Sequence, residues 1–233
     1  KILAILSECL ACKACKKECP SAVDMAKVKS EVLYQLYRER GLPFSAKVTA
    51  TVDQWMIKLT SVAPLFNLLF SSPLKQVTNR IAGISTKRRM PQLHRKTVQW
   101  YLKNRKQGIS AEKPLGRLIL FIDEFINLYE PWIGLKAINL LERLGYDVEV
   151  YIGISSGRAA ISKGRLDIAK RLANRHMAML ENLVSTDVPL VGIEPSAILS
   201  FRDEYPDLVD STLKPAAKRI AKNTMLIEEF FYR

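Results

Sequence analysis

Apolar and polar positions follow two different rhythms along this chain, and the change falls near Leu115. From Asp24 to Arg40 apolar residues recur at helical spacing, at Met25, Val28, Val32, Leu33 and Leu36, and Gly41-Leu42-Pro43 supplies a stop. A second helix is predicted from Ala46 to Leu59 and a third from Pro64 to Leu69. The stretch from Val62 to Phe70 is apolar nearly all round, which suits either a buried core helix or a surface that meets a partner or a membrane. Residues 73–114 are basic, with few apolar positions between Thr86 and Lys96 and a short helix around Val98 to Lys103. They read as an extended connection.

Beyond Leu115, strands alternate with helices. Leu118 to Ile122, Val148 to Ile152 and Val188 to Ile193 read as strands. Ile133 to Leu144 reads as an amphipathic helix closed by Gly145, and Ser162 to Val184 as a helix interrupted near Gly164. This order implies a parallel sheet covered by helices. The expected fold is therefore α/β overall, with an all-α segment over 1–72, a basic linker over 73–114 and a parallel-sheet half-domain over 115–233. In open sheets of this kind functional groups gather beyond the carboxyl ends of the strands. Those ends are Asp123-Glu124-Phe125, Gly153 to Arg158, and Glu194 to Ala197. The second of these loops lacks the Lys-Ser or Lys-Thr of a phosphate-binding loop and reads as a Gly-rich loop before a helix.

The 233 residues are 48% hydrophobic, enough for one large domain or two small ones. No run of eighteen apolar residues predicts a membrane span. The first residues do not form a secretory signal, there is no initiator Met, and the last residues read as part of an amphipathic helix, so the chain reads as a piece of a longer protein. The net charge of +13 suits nucleic acid, an anionic membrane surface or an acidic protein partner. Trp100 and Tyr101 lie among the basic residues, but no nucleic-acid motif accompanies them. A basic nucleic-acid module with a structural metal site remains as the alternative reading.

Only four cysteines are present, all between positions 9 and 19. A secreted disulfide protein would scatter them to close long loops; crowding indicates a metal site in a reducing compartment. Cys9, Cys12, Cys15 and Cys19 are spaced C-x2-C-x2-C-x3-C and followed by Pro20, the bacterial ferredoxin arrangement for a 4Fe–4S cluster. The two-residue spacers let a tight loop wrap three thiolates around one cluster face. In two-cluster ferredoxins the fourth sulfur serves the other cluster, so Cys19 would then need partners from outside this chain. Closure of all four around one cluster is the other arrangement. Zinc sites separate their pairs by a longer finger or add histidines, and neither His94 nor His176 is near in sequence. Lys13, Lys16 and Lys17 would set positive charge beside an anionic cluster and raise its potential.

Three segments in order carry a family resemblance: Cys9 through Met25, Ser156-Gly-Arg-Ala-Ala-Ile-Ser-Lys-Gly164, and Gly192-Ile-Glu-Pro-Ser-Ala197 with Phe201-Arg-Asp-Glu-Tyr-Pro206. The chain resembles the iron–sulfur portion of FAD-linked oxidases and dehydrogenases for 2-hydroxy acids. That group includes the glycolate oxidase iron–sulfur subunit, the corresponding subunit of anaerobic glycerol-3-phosphate dehydrogenase, and fused proteins of the D-lactate and D-2-hydroxyglutarate dehydrogenase type. The resemblance implies a ferredoxin-like helical segment followed by the first half of a cysteine-rich domain. It implies electron transfer from FAD, held in an upstream domain or a flavoprotein subunit, through clusters to a quinone or another acceptor such as a carrier protein. It also implies a cytoplasmic protein, at most peripheral on the inner face of the membrane, and no catalysis by this piece alone. One departure matters. Where the family often has Cys-Cys-Gly-Arg this chain has Ser155-Ser156-Gly157-Arg158, and Ala197 stands where a cysteine often follows Glu-Pro-Ser. Neither side chain replaces a thiolate ligand, so no metal site is carried onto the α/β half.

Overall fold

The computed structural model describes residues 2–71, 75–81, 85–87, 90–105 and 114–232. The helical segment begins with α1 (Ile2–Ser7), α2 (Ala14–Glu18) and α3 (Met25–Arg40). It continues with α4 (Phe44–Thr49), α5 (Val52–Leu59), α6 (Ala63–Ser71), α7 (Lys75–Ile81) and α8 (Val98–Asn104). The α/β half then runs β1 (Gly116–Ile122), α9 (Glu124–Leu128), α10 (Pro131–Arg143), β2 (Tyr146–Ile152), α11 (Arg158–Ser162), α12 (Leu166–Leu180) and β3 (Leu190–Gly192). Short helices α13 (Pro195–Ile198), α14 (Ser200–Asp203) and α15 (Tyr205–Leu208) lead to α16 (Lys214–Lys222), β4 (Thr224–Leu226) and α17 (Ile227–Tyr232).

The four strands form one parallel sheet in the order β2-β1-β3-β4. The unbroken apolar run of β1 fits its central place, because helices bury both faces of such a strand. Ile119 and Phe121 enter one core with Met177, Phe201 and Tyr205; Leu118, Leu120 and Ile122 enter the other with Val98, Ile138 and Leu141. Chain order reverses between β1 and β3, so the crevice at their carboxyl ends is the topological switch point.

Predicted and observed elements differ for local reasons. The helix expected over 46–59 is two helices. Val48, Thr49, Thr51 and Val52 form a β-branched run, and Thr51 Oγ1 donates to Lys47 O at 3.1 Å where α4 ends. The helix expected over 162–184 is also two. Gly164 (φ 65°) ends α11 with Gly164 N to Ile161 O at 3.1 Å and Arg165 N to Ala160 O at 2.8 Å, a Schellman closure. Strand β4, three residues long, left no periodic signal. Within the basic segment, α7 and α8 are helical, and buried Leu93 packs with Met56, Phe66 and Leu128. Arg88, Arg89 and Lys106 of its cationic cluster lie outside the described residues.

The helical segment and the α/β half share cores. Ala50 sits with Ile161 and Ile168, and Met56 and Phe66 sit with Leu128. A side chain at Gly164 would meet Leu33 Cβ at 2.5 Å, so glycine is what lets α3 lie against the end of α11.

Candidate functional site

Two places carry chemistry: the cysteine loop and the carboxyl edge of the sheet. The loop leaves α1 with Cys9 N donating to Leu6 O, and two non-glycine residues, Ala11 (φ 56°) and Lys13 (φ 61°), turn it through the left-handed region. That conformation costs an ordinary residue about 1–2 kcal/mol and persists only where surrounding structure holds it. The turn points Ala11 N at Cys9 Sγ, 3.4 Å away. Cys15 lies in α2 and Cys19 directly follows it, where the amides of Val23, Ser21 and Ala22 hold its thiol below the ordinary value against a smaller effect of burial. Amide donation favours the Cys19 thiolate, and an amide also faces the Cys9 sulfur; both suit a thiolate-ligated cluster. Cys12 is exposed and the other three are half-buried, all as free thiols. Among the described residues no three Cys, His, Asp or Glu side chains are gathered closely enough to hold a metal ion.

The lysines of the loop have partners that the sequence did not disclose. Lys13 Nζ lies 2.6 Å from Glu204 Oε1 and 3.0 Å from Asp203 Oδ2, and Lys16 Nζ lies 3.0 Å from Asp203 Oδ1. Lys27 Nζ reaches Asp207 and donates to Asp203 O at 2.9 Å. Lys29 Nζ donates to Cys9 O at 2.6 Å. Asp203 and Glu204 stand at the junction of α14 and α15, so the α/β half grips the cysteine loop through acids. Much of the positive charge expected beside the cysteines is therefore offset. Between the loop, α3 and α11 runs a cleft of about 470 Å³ whose walls include Ala11, Lys27, Arg158 and Leu208.

At the sheet edge, Asp123 ends β1 and caps α9, accepting from Phe125 N at 2.7 Å and Ile126 N at 3.2 Å. Glu124 accepts from Ser156 N at 2.9 Å and Ser156 Oγ at 2.7 Å. Ser155 Oγ donates to the Asp53 carboxylate of α5 and accepts from Gly157 N at 3.1 Å. His176 Nε2 donates to Ser155 O at 2.9 Å, so its Nδ1 accepts from Tyr151 OH, also at 2.9 Å. Tyr205 OH donates to Ser156 O at 2.5 Å, and Arg158 pairs with Glu204 at 2.7 Å. Ser155, Ser156 and His176 are buried.

Burial sets the protonation of this network. It pushes the Asp53 carboxyl to about 6, and the Glu124 charge adds to that; it pushes Asp123 to about 7, again with Glu124 adding. It holds His176 down at about 4, so the imidazole is neutral. Asp53 Oδ1 and Asp123 Oδ2 are buried without hydrogen-bond partners among the described residues. At neutral pH Asp53 is mainly ionised, Asp123 about half ionised and His176 neutral, within one closely hydrogen-bonded, largely buried network. The two loop serines are occupied by Asp53 and Glu124, and the first amides of α11 donate to serine hydroxyls, with Arg158 N reaching Ser156 Oγ at 3.3 Å.

The first two strand-end loops meet through Glu124 and Ser156, and Ala197 of the third shares a core with Ile154 of the second. Sequence reasoning missed Asp53, His176, Tyr205 and the Asp203–Glu204 pair. Asp53 left a signal as the one acid between Arg40 and Glu112, and Asp203, Glu204 and Tyr205 lie in the Phe201-to-Pro206 segment that carries the resemblance, but no role is assigned to them there.

No family model matches the chain. No solved structure matches it. Among curated proteins it is similar to D-2-hydroxyglutarate dehydrogenase of Escherichia coli, 27% identical over 211 residues that make up 86% of this chain and 20% of that protein. It is similar also to D-2-hydroxyglutarate dehydrogenase of Pantoea ananatis, 26% identical over 236 residues, 98% of this chain and 22% of that protein. The chain spans about a fifth of the length of the curated relatives it matches. These similarities support placing the chain alongside the dehydrogenases for 2-hydroxy acids.

Proposed function

We propose that this chain is the electron-transfer portion of a flavin-dependent oxidoreductase for a 2-hydroxy acid of the 2-hydroxyglutarate, lactate or glycolate type. The observation that carries it is the cysteine run, four thiols at ferredoxin spacing on a loop whose amides point at the sulfurs of Cys9 and Cys19. The similarity to D-2-hydroxyglutarate dehydrogenases supplies the substrate class. Cys9, Cys12, Cys15 and Cys19 would hold 4Fe–4S iron, which supplies one-electron transfer when bound. Around it the chain's own residues position the loop: Ala11 N donates to Cys9 Sγ, the amides of 21–23 favour the Cys19 thiolate, Lys29 fixes the Cys9 carbonyl, and Asp203 and Glu204 hold Lys13 and Lys16. FAD would belong to an upstream domain or a flavoprotein partner, and a quinone or carrier protein would accept the electrons. The buried serine network leaves the α/β half the role of scaffold.

Iron and acid-labile sulfide quantitation with low-temperature electron paramagnetic resonance, after anaerobic reconstitution, tests this reading. The expected result is a brown protein with about four irons per chain for one closed cluster. Cys9→Ser and Cys15→Ser lower the iron content and remove the reduced-cluster signal. A colourless, iron-free chain with an unchanged fold would rule the reading out.

A further inference from the structure

Every non-glycine residue at positive φ among the described residues lies in or beside the cysteine run: Ala11 at 56°, Lys13 at 61° and Ala22 at 51°. Lys13 stands at the N-cap of α2, and no side chain caps the helix there. A helix of five residues is too short to hold such a turn by itself. The hold comes from across the molecule. Lys13 Nζ reaches Glu204 Oε1 at 2.6 Å and Asp203 Oδ2 at 3.0 Å, over 190 residues of chain in the second case, and Lys16 Nζ reaches Asp203 Oδ1 at 3.0 Å. The two acids are themselves anchored. They lie between Phe201 and Tyr205, both fully buried, and Tyr205 OH donates to Ser156 O at 2.5 Å. Arg158 pairs with Glu204 at 2.7 Å, and Asp203 O accepts from Lys27 Nζ at 2.9 Å.

These contacts carry charge as well as position. Lys13 follows Cys12 directly and Lys16 follows Cys15 directly, so their ammonium groups are tied to the ligand loop itself. A 4Fe–4S cluster on four thiolates is anionic, and reduction adds one more negative charge. Two uncompensated cations on the loop would therefore favour the reduced state. The fold answers each with a carboxylate, and the four charges of Lys13, Lys16, Asp203 and Glu204 sum to zero. Asp203 is ionised in this setting. Burial pushes its carboxyl up, but the hydrogen bonds from Lys13 and Lys16 outweigh that and hold it below the ordinary value. The Glu204 side chain is 6% exposed and that of Lys13 20%, so solvent screens this pair less than it screens a surface ion pair.

We propose that Asp203 and Glu204 are positioning residues that set the reduction potential of the cysteine loop, keeping it low by holding Lys13 and Lys16 in ion pairs from the other half of the molecule. The proposal rests on the reading that Cys9, Cys12, Cys15 and Cys19 hold a 4Fe–4S cluster. Reductive titration of the anaerobically reconstituted chain with dithionite, which supplies one electron per cluster, tests it by electron paramagnetic resonance. Iron content and circular dichroism are read on every variant. Asp203→Asn removes one negative charge and favours the reduced state about tenfold, a rise of ~59 mV for a one-electron couple. Lys13→Met keeps the stem and both acids and moves the equilibrium by a similar factor the other way. The two substitutions together bring the potential back close to its original value, and Asp203→Glu, which keeps the charge, leaves it there. A loop that is only loosened shifts both single variants in the same direction. That result, or potentials that do not move while iron content is unchanged, would overturn the proposal. If Asp203→Asn takes up less iron, the sign of the Lys13→Met shift decides: a fall supports the proposal, and a rise or no change overturns it. An unsubstituted chain that takes up no iron would overturn the cluster reading and the proposal together, whereas a full complement of iron with an unmoved potential would overturn the proposal alone.

Discussion

Asp53 combines burial, one hydrogen-bonded oxygen and one oxygen without a partner among the described residues. Its carboxyl titrates at about 6 where an unfolded one titrates near 3.8, so the folded state keeps a proton that the unfolded chain has released. Stability therefore falls as pH rises from about 4 to about 6 and is level in this respect above that. His176 acts in the opposite sense: its imidazole, held down at about 4 from 6.5, removes stability as pH drops through that window. Asparagine at position 53 still accepts from Ser155 but carries no charge. Asp53→Asn is expected to raise unfolding free energy near neutral pH by up to about 3 kcal/mol, the linkage equivalent of the displaced titration, with the gain vanishing at about pH 4. Urea unfolding of both proteins across that range measures it. A pH-independent difference between them would assign the effect to packing and not to charge.

Helix α3 and the α14–α15 junction decide where the cysteine loop sits. Replacing Gly164 by alanine places a methyl group 2.5 Å from Leu33 Cβ on a residue already at φ 65°, so strain and overlap act together. Gly164→Ala is expected to cost about 2–4 kcal/mol, read as a lower melting temperature. At the acidic junction, Glu204 is buried and faces both Lys13 and Arg158. Removing it leaves two partly buried cations without their shared partner, which costs more than losing an exposed pair. Glu204→Gln is expected to speed hydrogen exchange of residues 8–23 while the amides of β1 and β3 remain protected. Equal loosening of the sheet would mean that Glu204 serves general stability instead of the loop.

For the whole molecule, patterns that repeat within a few residues were legible in the amino-acid order alone. The buried strand β1, the helices α3 and α10, the parallel alternation and the cysteine spacing all belong to that class, because side-chain period and ligand spacing are local properties. The basic excess of residues 41–122 was legible too. What local pattern did not carry was partnership between distant positions. Lys13 meets Asp203 across 190 residues and Ser155 meets Asp53 across 102, and no period in the sequence encodes either contact. The sequence by itself determined four thiols at ferredoxin spacing, a parallel α/β half and a strongly cationic middle. Only the tertiary structure decided that the lysines beside the thiols are held by acids, that the strand-end serines are sealed by Asp53 and Glu124, and that α6 turns leucines to solvent. The reason is that charge neutralisation, desolvation and exposure depend on which surfaces packing brings together, and that is set by the whole fold.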